Sequence, residues 1–204
     1  MTYTGDTGSW LVVAAIGGIV LLASTLAARR STISVLEQRV FRSVNQLPDA
    51  LYHLLWLPMQ LGNLVVGTVA GVAVALVAGE LAVVLGVLVA TALKLVTERV
   101  IRHEMAPYLS VRRRPTTSVP GAIRRGDVPA DGPSFPSGHV LLVAATSCVV
   151  ATVLPPALVV VAGVLTLTVV IGRVYVAAHN PLDVTAGLGA GLLVGGVLAA
   201  LVAR

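Results

Sequence analysis

The sequence predicts an all-α integral membrane protein: a six-transmembrane-helix bundle with a short interfacial helix and one arginine-rich loop, folded as a single domain over residues 1–204. Its composition is the first reason, because 56% of the residues are hydrophobic, 11% are charged and the mean hydropathy is +0.93. Soluble domains carry about 25% charged residues. The second reason is that the apolar residues form runs near the length of about 20 residues with which a helix crosses a bilayer.

Six apolar runs predict the spans: Trp10–Ala28, a segment within Leu51–Ala78, Leu81–Val96, Ser137–Leu154, Leu158–Val176 and Leu182–Ala203. In the second run, Pro58 and Gly62 are expected to bend the helix or to set its start. Between the first and second runs, Ile33–Leu47 repeats apolar residues at helical spacing with Arg and Glu between them. This pattern predicts a short helix lying at the membrane interface.

The segment Arg99–Pro136 is a long polar stretch that contains seven arginines. With six spans, the end of the third, the start of the fourth, the end of the fifth and the start of the sixth lie on one membrane face. The polar residues at those ends are Lys94, His139, Arg173, His179 and Asp183. We therefore expect them to meet the arginine-rich loop at one polar mouth.

The last apolar run contains five closely spaced glycines: Gly187, Gly189, Gly191, Gly195 and Gly196. No strand pattern precedes them, so they do not predict a dinucleotide-binding turn. Small residues at four-residue spacing let membrane helices approach closely. The glycines therefore predict a helix-packing surface within the bundle, and they could alternatively support a homodimer.

The string Pro136-Ser137-Gly138-His139 stands at the start of the fourth run. Serine is a favourable N-cap, proline suits the first turn of a helix, and glycine permits close approach of the backbone. The free N–H groups and the dipole at such a helix start attract an anion. His139 would lie beside that anion.

A second set of polar residues, Arg173, His179 and Asp183, flanks the start of the last run. Asn180 is a good N-cap and Pro181 a good first helical residue. Asp183 would then be close enough to reach back to the imidazole of His179. A carboxylate on one ring nitrogen leaves the other free to act as a nucleophile, and an arginine can bind phosphate oxygens in bidentate fashion. Together the two strings can bind a phosphate, attack it and protonate a leaving group.

These strings resemble the second and third signature motifs of the type 2 phosphatidic acid phosphatase (PAP2) superfamily, which includes vanadium haloperoxidases and bacterial acid phosphatases. The third motif matches as Arg173, five residues, His179, three residues and Asp183, with Gly172 where the family usually has Ser. The second motif is intact. The resemblance covers about Leu81–Ala203, and the six predicted spans resemble the membrane-bound branch.

The first motif of the family, Lys, six residues and then Arg-Pro, is altered. At that spacing Lys94 is followed by Ile101-Arg102, with no proline, and Arg114-Pro115 lies twenty residues beyond the lysine. An insertion would keep Lys94 and Arg114 as phosphate ligands, and Arg99 and Arg102 are the alternatives to Arg114. The run of three arginines that ends at Arg114 could instead be a basic surface patch contacting anionic headgroups.

The resemblance implies a phosphatase that needs no metal and no cofactor. His179 would attack phosphorus to form a phosphohistidine, oriented by Asp183, while His139 would protonate the leaving oxygen and then activate water. The phosphate oxygens would be held by Lys94, Arg114, Ser137, Gly138 and Arg173. The chain has nine acidic residues, and no carboxylate cluster in the sequence resembles a magnesium site.

The expected partners are the lipid bilayer and a membrane lipid with a phosphate headgroup, not nucleic acid. A phosphomonoester or diphosphate on a polyprenyl lipid carrier is the first substrate hypothesis, and phosphatidylglycerophosphate or phosphatidate is the alternative. A non-catalytic lipid-binding membrane protein is an alternative of another class, suggested by the altered first motif. A transporter would need ionisable residues at mid-span, and the runs have almost none.

The basic residues also predict an orientation in the membrane. Thirteen of the fourteen Lys and Arg fall on the face of the polar mouth or in its loops, and only Arg204 falls on the other. The positive-inside rule then places the mouth in the cytoplasm. We expect an integral protein of the bacterial inner (cell) membrane, although the site itself recruits arginine and so contributes to the asymmetry.

Overall fold

The regular elements of the chain are helices throughout the part that the structure describes. The structure is a computed structural model that describes residues 6–30, 32–100 and 112–203. Its α-helices are α1 (Thr7–Ala27), α2 (Val35–Asn45), α3 (Tyr52–Met59), α4 (Leu64–Val77), α5 (Leu81–Arg99), α6 (Pro115–Ser118), α7 (Gly138–Ala151), α8 (Pro156–Tyr175) and α9 (Pro181–Val202). The predicted all-α class is confirmed for these residues.

The predicted count of six spans is not confirmed. Within the described residues, α1, α5, α8 and α9 are long and apolar enough to cross a membrane, and a bent pair, residues 49–62 with α4, raises the number to five at most. Helix α7, in the predicted fourth span, has 14 residues. At 1.5 Å per residue it is about 21 Å long, against a hydrocarbon core of about 30 Å. Twelve of its residues are buried, because α7 packs against α4, α5, α8 and α9.

The bend predicted in the second run lies at Asn63. This residue is extended, with φ −69° and ψ 139°, and its side chain accepts hydrogen bonds from the backbone N–H groups of Val65 and Val66 at 3.0 and 3.4 Å. It therefore caps α4 and separates it from α3 by a bend of 73°. The preceding Gly62 packs on α7, where an added Cβ would lie 2.8 Å from the Cβ of His139.

The glycines of α9 serve helix packing on two sides. Gly189 and Gly196 face α1, where an added Cβ would lie 2.5 and 2.7 Å from the backbone nitrogens of Leu21 and Ala14. The other three face the α7 side: Gly187, Gly191 and Gly195. These contacts confirm the predicted packing surface within the bundle, and they occupy the surface that a glycine-mediated homodimer would need.

Helix α1 runs antiparallel to α9. The hydroxyls of Ser24, near the end of α1, and Thr185, near the start of α9, lie 2.9 Å apart. The end of α1 therefore lies at the same side of the bundle as the start of α9.

A helix, α2, is present in the segment that was predicted to be interfacial. Ser34 caps it by accepting a hydrogen bond from the backbone N–H of Glu37 at 3.2 Å. One face exposes Val35, Leu36 and Val40, while Phe41 is fully buried on the other. Glu37 lies on the buried face and accepts a hydrogen bond from the N–H of Leu182, at the start of α9. Helix α2 is thus anchored to the end of the bundle at which α9 begins.

Candidate active site

A polar cavity of about 250 Å³ opens at the end of the bundle where α5 ends and α7 begins. Its lining includes six of the predicted site residues: Lys94, Arg114, Gly138, His139, Arg173 and His179. These predicted residues therefore lie at one end of the bundle, although the six spans from which their convergence was predicted are not confirmed. Ser137 and Asp183 are fully buried beside the cavity. Arg99 is exposed on the last turn of α5 and does not line the cavity, and Arg102 lies outside the described residues.

The turn after α8 places His179 against Arg173. The backbone N–H groups of Ala178 and His179 both donate to the carbonyl of Arg173, at 3.0 and 3.2 Å. This tight wrap requires Ala177 to adopt a positive φ of 58°, which is uncommon for a residue with a Cβ. Such strained residues persist where the surrounding structure holds them, and they cluster at active sites.

The imidazole of His179 is held in one tautomer by a backbone carbonyl. Its Nδ1 lies 2.7 Å from the carbonyl oxygen of Ser134. Because a carbonyl only accepts, Nδ1 carries the proton and Nε2 keeps a free lone pair. Burial, with the positive charges of Arg173 and Arg114, holds the pKa of His179 well below its usual range. The ring is therefore neutral and can act as a nucleophile through Nε2.

The sequence predicted that Asp183 orients His179, and the structure gives Asp183 other partners. One carboxylate oxygen accepts from the backbone N–H of Asn180 at 2.8 Å, and the other accepts from Nε of Arg112 at 3.0 Å. As the third residue of α9, Asp183 is drawn to the free N–H groups at the helix start. Its carbonyl also accepts from the N–H of Ser137 at 2.9 Å. Asp183 thus connects the second and third motifs and does not hold the imidazole directly.

Arg112 is a site residue that the sequence analysis missed. It is 3% exposed and forms salt bridges with both Glu37 and Asp183. Its carbonyl accepts hydrogen bonds from the N–H and the hydroxyl of Ser134, at 2.9 and 3.1 Å. Arg112 therefore joins Asp183 to the residue whose carbonyl orients His179. The run of three arginines suggested a surface patch, and no local signal reveals partners 71 and 75 residues away.

The two basic residues of the first motif converge on the cavity although twenty positions separate them. Lys94 is buried on α5, and its Nζ lies 3.0 Å from Glu98 Oε2. Arg114 donates through Nη1 to the carbonyl of Ala178 at 2.8 Å and through Nε to that of Asp131 at 3.1 Å. These bonds hold the guanidinium beside the His179 turn. Of the described candidates, Arg114 has the position that the insertion hypothesis predicts.

Two buried donors at the site have no hydrogen-bond partner among the described residues: Nε of Arg173 and the hydroxyl of Ser137. A buried donor without a partner costs about 1–3 kcal/mol. An anion bound in the cavity would offer hydrogen-bond acceptors to the guanidinium of Arg173. The N-terminus of α7 also turns free N–H groups towards this region. The donor set therefore fits a phosphate group.

The comparison with protein families identifies the chain. The model of the PAP2 superfamily matches residues 79–204, which include all the predicted site residues. Among curated protein sequences, none matches significantly.

Two solved structures share the fold at low sequence identity. LpxE of Aquifex aeolicus superposes with a TM-score of 0.67 and 18% identity, over 83% of this chain and 95% of that chain. A transmembrane PAP2-type phosphatidylglycerolphosphate phosphatase of Bacillus subtilis superposes with a TM-score of 0.61 and 19% identity, over 91% of this chain and 93% of that chain. With the family match over more than half of its length, the chain belongs to the PAP2 superfamily and has the fold of its membrane phosphatases.

Proposed function

We propose that this protein is a metal-independent membrane lipid phosphatase that forms a phosphohistidine at His179. Its substrate is a phosphomonoester or diphosphate on a polyprenyl lipid carrier. The observation that carries the proposal is the tautomer of His179: Nδ1–H donates a hydrogen bond to a backbone carbonyl, and the ring lines a cavity that three cationic side chains share. A neutral imidazole facing cationic phosphate ligands is the arrangement that nucleophilic attack on phosphorus needs.

The reaction proceeds in two steps that each make and break one bond to phosphorus. The phosphate group of the substrate binds as a monoanion and passes its proton to His139. Nε2 of His179 attacks phosphorus, the bond to the lipid oxygen breaks, and His139 gives that proton to the leaving oxygen. Water then attacks the phosphohistidine while His139 accepts its proton. The N–P bond breaks, His139 passes the proton to the departing inorganic phosphate, and both histidines return to their starting states.

The cations and the helix start stabilise the charge on the equatorial oxygens. Lys94, Arg114 and Arg173 supply positive charge in the cavity, and Gly138 and Ser137 supply donors at the start of α7. Because this donor set already neutralises a phosphate, the chemistry does not require a metal ion as a Lewis acid.

A lipid substrate suits a cavity at the end of a bundle whose sides are apolar. The helices around the site expose large hydrophobic residues to their surroundings, among them Leu93, Val96 and Ile171. A lipid phosphate could place its headgroup in the cavity while its tail stays in the bilayer. Phosphatidylglycerophosphate or phosphatidate is the alternative substrate, and the fold shared with the Bacillus subtilis phosphatase favours it. A non-catalytic lipid-binding protein is the alternative of another class.

The test is inorganic phosphate release by the purified protein in EDTA, from four lipids: a polyprenyl monophosphate, a polyprenyl diphosphate, phosphatidate and phosphatidylglycerophosphate. We expect wild-type activity in EDTA and its loss, by at least about a thousandfold, in His179→Ala because the nucleophile is gone. His53→Ala is the matched control, since His53 is exposed on α3 and lies outside the cavity lining.

The most active lipid would name the substrate class. Activity that survives in His179→Ala would overturn the phosphohistidine mechanism. Release from none of the four lipids would favour the lipid-binding alternative.

A further inference from the structure

A carboxylate lies at the position where the proposed mechanism puts the phosphate. Glu98 stands one turn after Lys94 on α5, and both side chains line the cavity. Lys94 Nζ lies 3.0 Å from Glu98 Oε2. On its other side, the carboxylate presses against the start of α7, where a Cβ added to Gly138 would overlap Glu98 Oε1. Glu98 therefore sits between a cation and a helix N-terminus that are both assigned to the phosphate.

A carboxylate and a phosphate compete for such a position because both are anions that accept hydrogen bonds from the same donors. Glu98 is also tethered one helical turn from Lys94, so its local concentration is high and constant. The space between Lys94 and Gly138 at the start of α7 is called the cradle here. The two anions cannot occupy it together, because like charges in contact repel strongly in a partly buried site. The side chain of Glu98 is 25% exposed, against 9% for Lys94, so an exit towards the mouth is open to it.

We propose that Glu98 is a tethered competitor for the phosphate site and sets the affinity of the site for every phosphate ligand. The inference rests on the proposed function, because it takes the cradle of Lys94 and Gly138 to be the phosphate site. A ligand must break the Lys94–Glu98 pair to bind. After hydrolysis the carboxylate returns and helps to displace inorganic phosphate.

The competition affects lipid and free phosphate differently in practice. The cost of displacing Glu98 is the same for both ligands. A lipid substrate is confined to the bilayer beside the cavity, and its high effective concentration there offsets that cost, whereas inorganic phosphate arrives from dilute solution. Glu98 therefore protects the enzyme from inhibition by its own product while lipid binding persists.

The test compares Glu98→Gln with wild type for binding of inorganic phosphate and vanadate. Neutralising the competitor is expected to tighten both ligands on the order of tenfold, which corresponds to about 1.4 kcal/mol. Glu80→Gln is the matched control, because it removes one negative charge at the start of the same helix, away from the cavity. Glu98→Ala is the second variant if Glu98→Gln does not fold, and we expect the same tightening.

Two arms separate this inference from the proposed function. Binding is measured by the thermal shift of His179→Ala with and without Glu98→Gln, so that it needs no turnover. Inhibition by inorganic phosphate is measured on lipid hydrolysis in the active background. Tighter phosphate binding supports the inference even if no lipid is hydrolysed. The lack of hydrolysis would contradict only the proposed function. Unchanged or weaker phosphate binding in both Glu98 variants would overturn the inference, because Glu98 would then only hold Lys94 in place.

Discussion

The nucleophile of the proposed reaction is oriented by a backbone atom. Sequence reasoning identified His179 and supplied Asp183 as its partner, because a carboxylate four positions away is the partner that a sequence can show. The structure gives the carbonyl of Ser134 instead, 45 residues distant. A backbone carbonyl has no residue identity, so no sequence pattern could have pointed to it. The residue types of the site were predictable, and their hydrogen-bond partners were not.

The buried position of His179 makes its protonation testable. An exposed histidine has a pKa of about 6.5. Burial first, and then the charges of Arg173 and Arg114, lower the pKa of His179, so the ring stays neutral as the pH falls through 6.5. In a ring-nitrogen NMR titration we expect the His179 signal, assigned by its loss in His179→Ala, to keep its neutral shift at pH 6. Arg114→Gln removes one of the charges and should raise the midpoint. A wild-type midpoint at or above 6.5 would contradict this account.

Arg112 should matter to stability more than a surface arginine. It is the shared partner of two buried carboxylates, and removing it leaves Glu37 and Asp183 without that cation. Breaking a buried ion pair from one side costs about 3–5 kcal/mol. We expect Arg112→Ala to lower the midpoint of thermal unfolding in detergent by several degrees or to prevent folding. The control is Arg113→Ala, whose side chain is exposed one position along the chain. Equal midpoints for the two variants would show that the buried network does not stabilise the fold.

A positioning role for Arg112 has its own readout. Through its carbonyl it accepts hydrogen bonds from Ser134, and through its guanidinium it holds Asp183. Arg112→Lys keeps the charge but loses the planar fork that reaches two carboxylates. We expect this variant to lower kcat with little change in KM, because the phosphate ligands stay in place while the nucleophile is less well held. A loss confined to KM would assign Arg112 to substrate binding.

At the scale of helices, the sequence predicted the position of each helix along the chain better than it predicted whether that helix crosses the membrane. The run that starts at Ser137 has the apolar content of a span, but its helix α7 ends at Ala151 and is buried by its neighbours. Hydropathy cannot distinguish lipid from protein as the apolar surroundings of a helix. The bend at Asn63 was only approximately predictable, because Pro58 is the stronger breaker by composition, yet it is accommodated within α3.

The contact between α7 and α9 depends on the absence of a side chain at Gly191. An added Cβ there would lie 2.6 Å from both the Cβ of Ala144 and the carbonyl oxygen of Leu141. We expect Gly191→Val to force the helices apart and to cost about 1–3 kcal/mol or more, because overpacking a close helix contact strains both backbones. Gly163→Val is the matched control, since no atom lies within 4 Å of a Cβ at that position on α8. Thermal unfolding of both variants in the same detergent decides the point, and similar midpoints would contradict it.

At the scale of the whole molecule, the described basic residues lie at one end of the bundle. The pairing of Ser24 with Thr185 puts the end of α1, with Arg29 and Arg30, on the side where α9 begins. The same side holds α2 and the cavity. The sequence predicted this asymmetry from the positions of the basic residues at the ends of the apolar runs. It cannot separate arginines that bind phosphate from arginines that set topology, since both kinds occur in the same loops.

The orientation of the site in the membrane can be decided with cysteine labelling. The chain has one cysteine, Cys148, which is buried on α7, so Cys148→Ala supplies a background without cysteine. Ala130→Cys places a thiol on the exposed loop at the site end, and Ala78→Cys places one on the exposed turn between α4 and α5, at the opposite end. The positive-inside rule predicts that the excess of arginine faces the cytoplasm. In intact cells, a membrane-impermeant maleimide should then label Ala78→Cys and spare Ala130→Cys until the membrane is opened. The reverse pattern would place the site outside and contradict the prediction from the positive-inside rule.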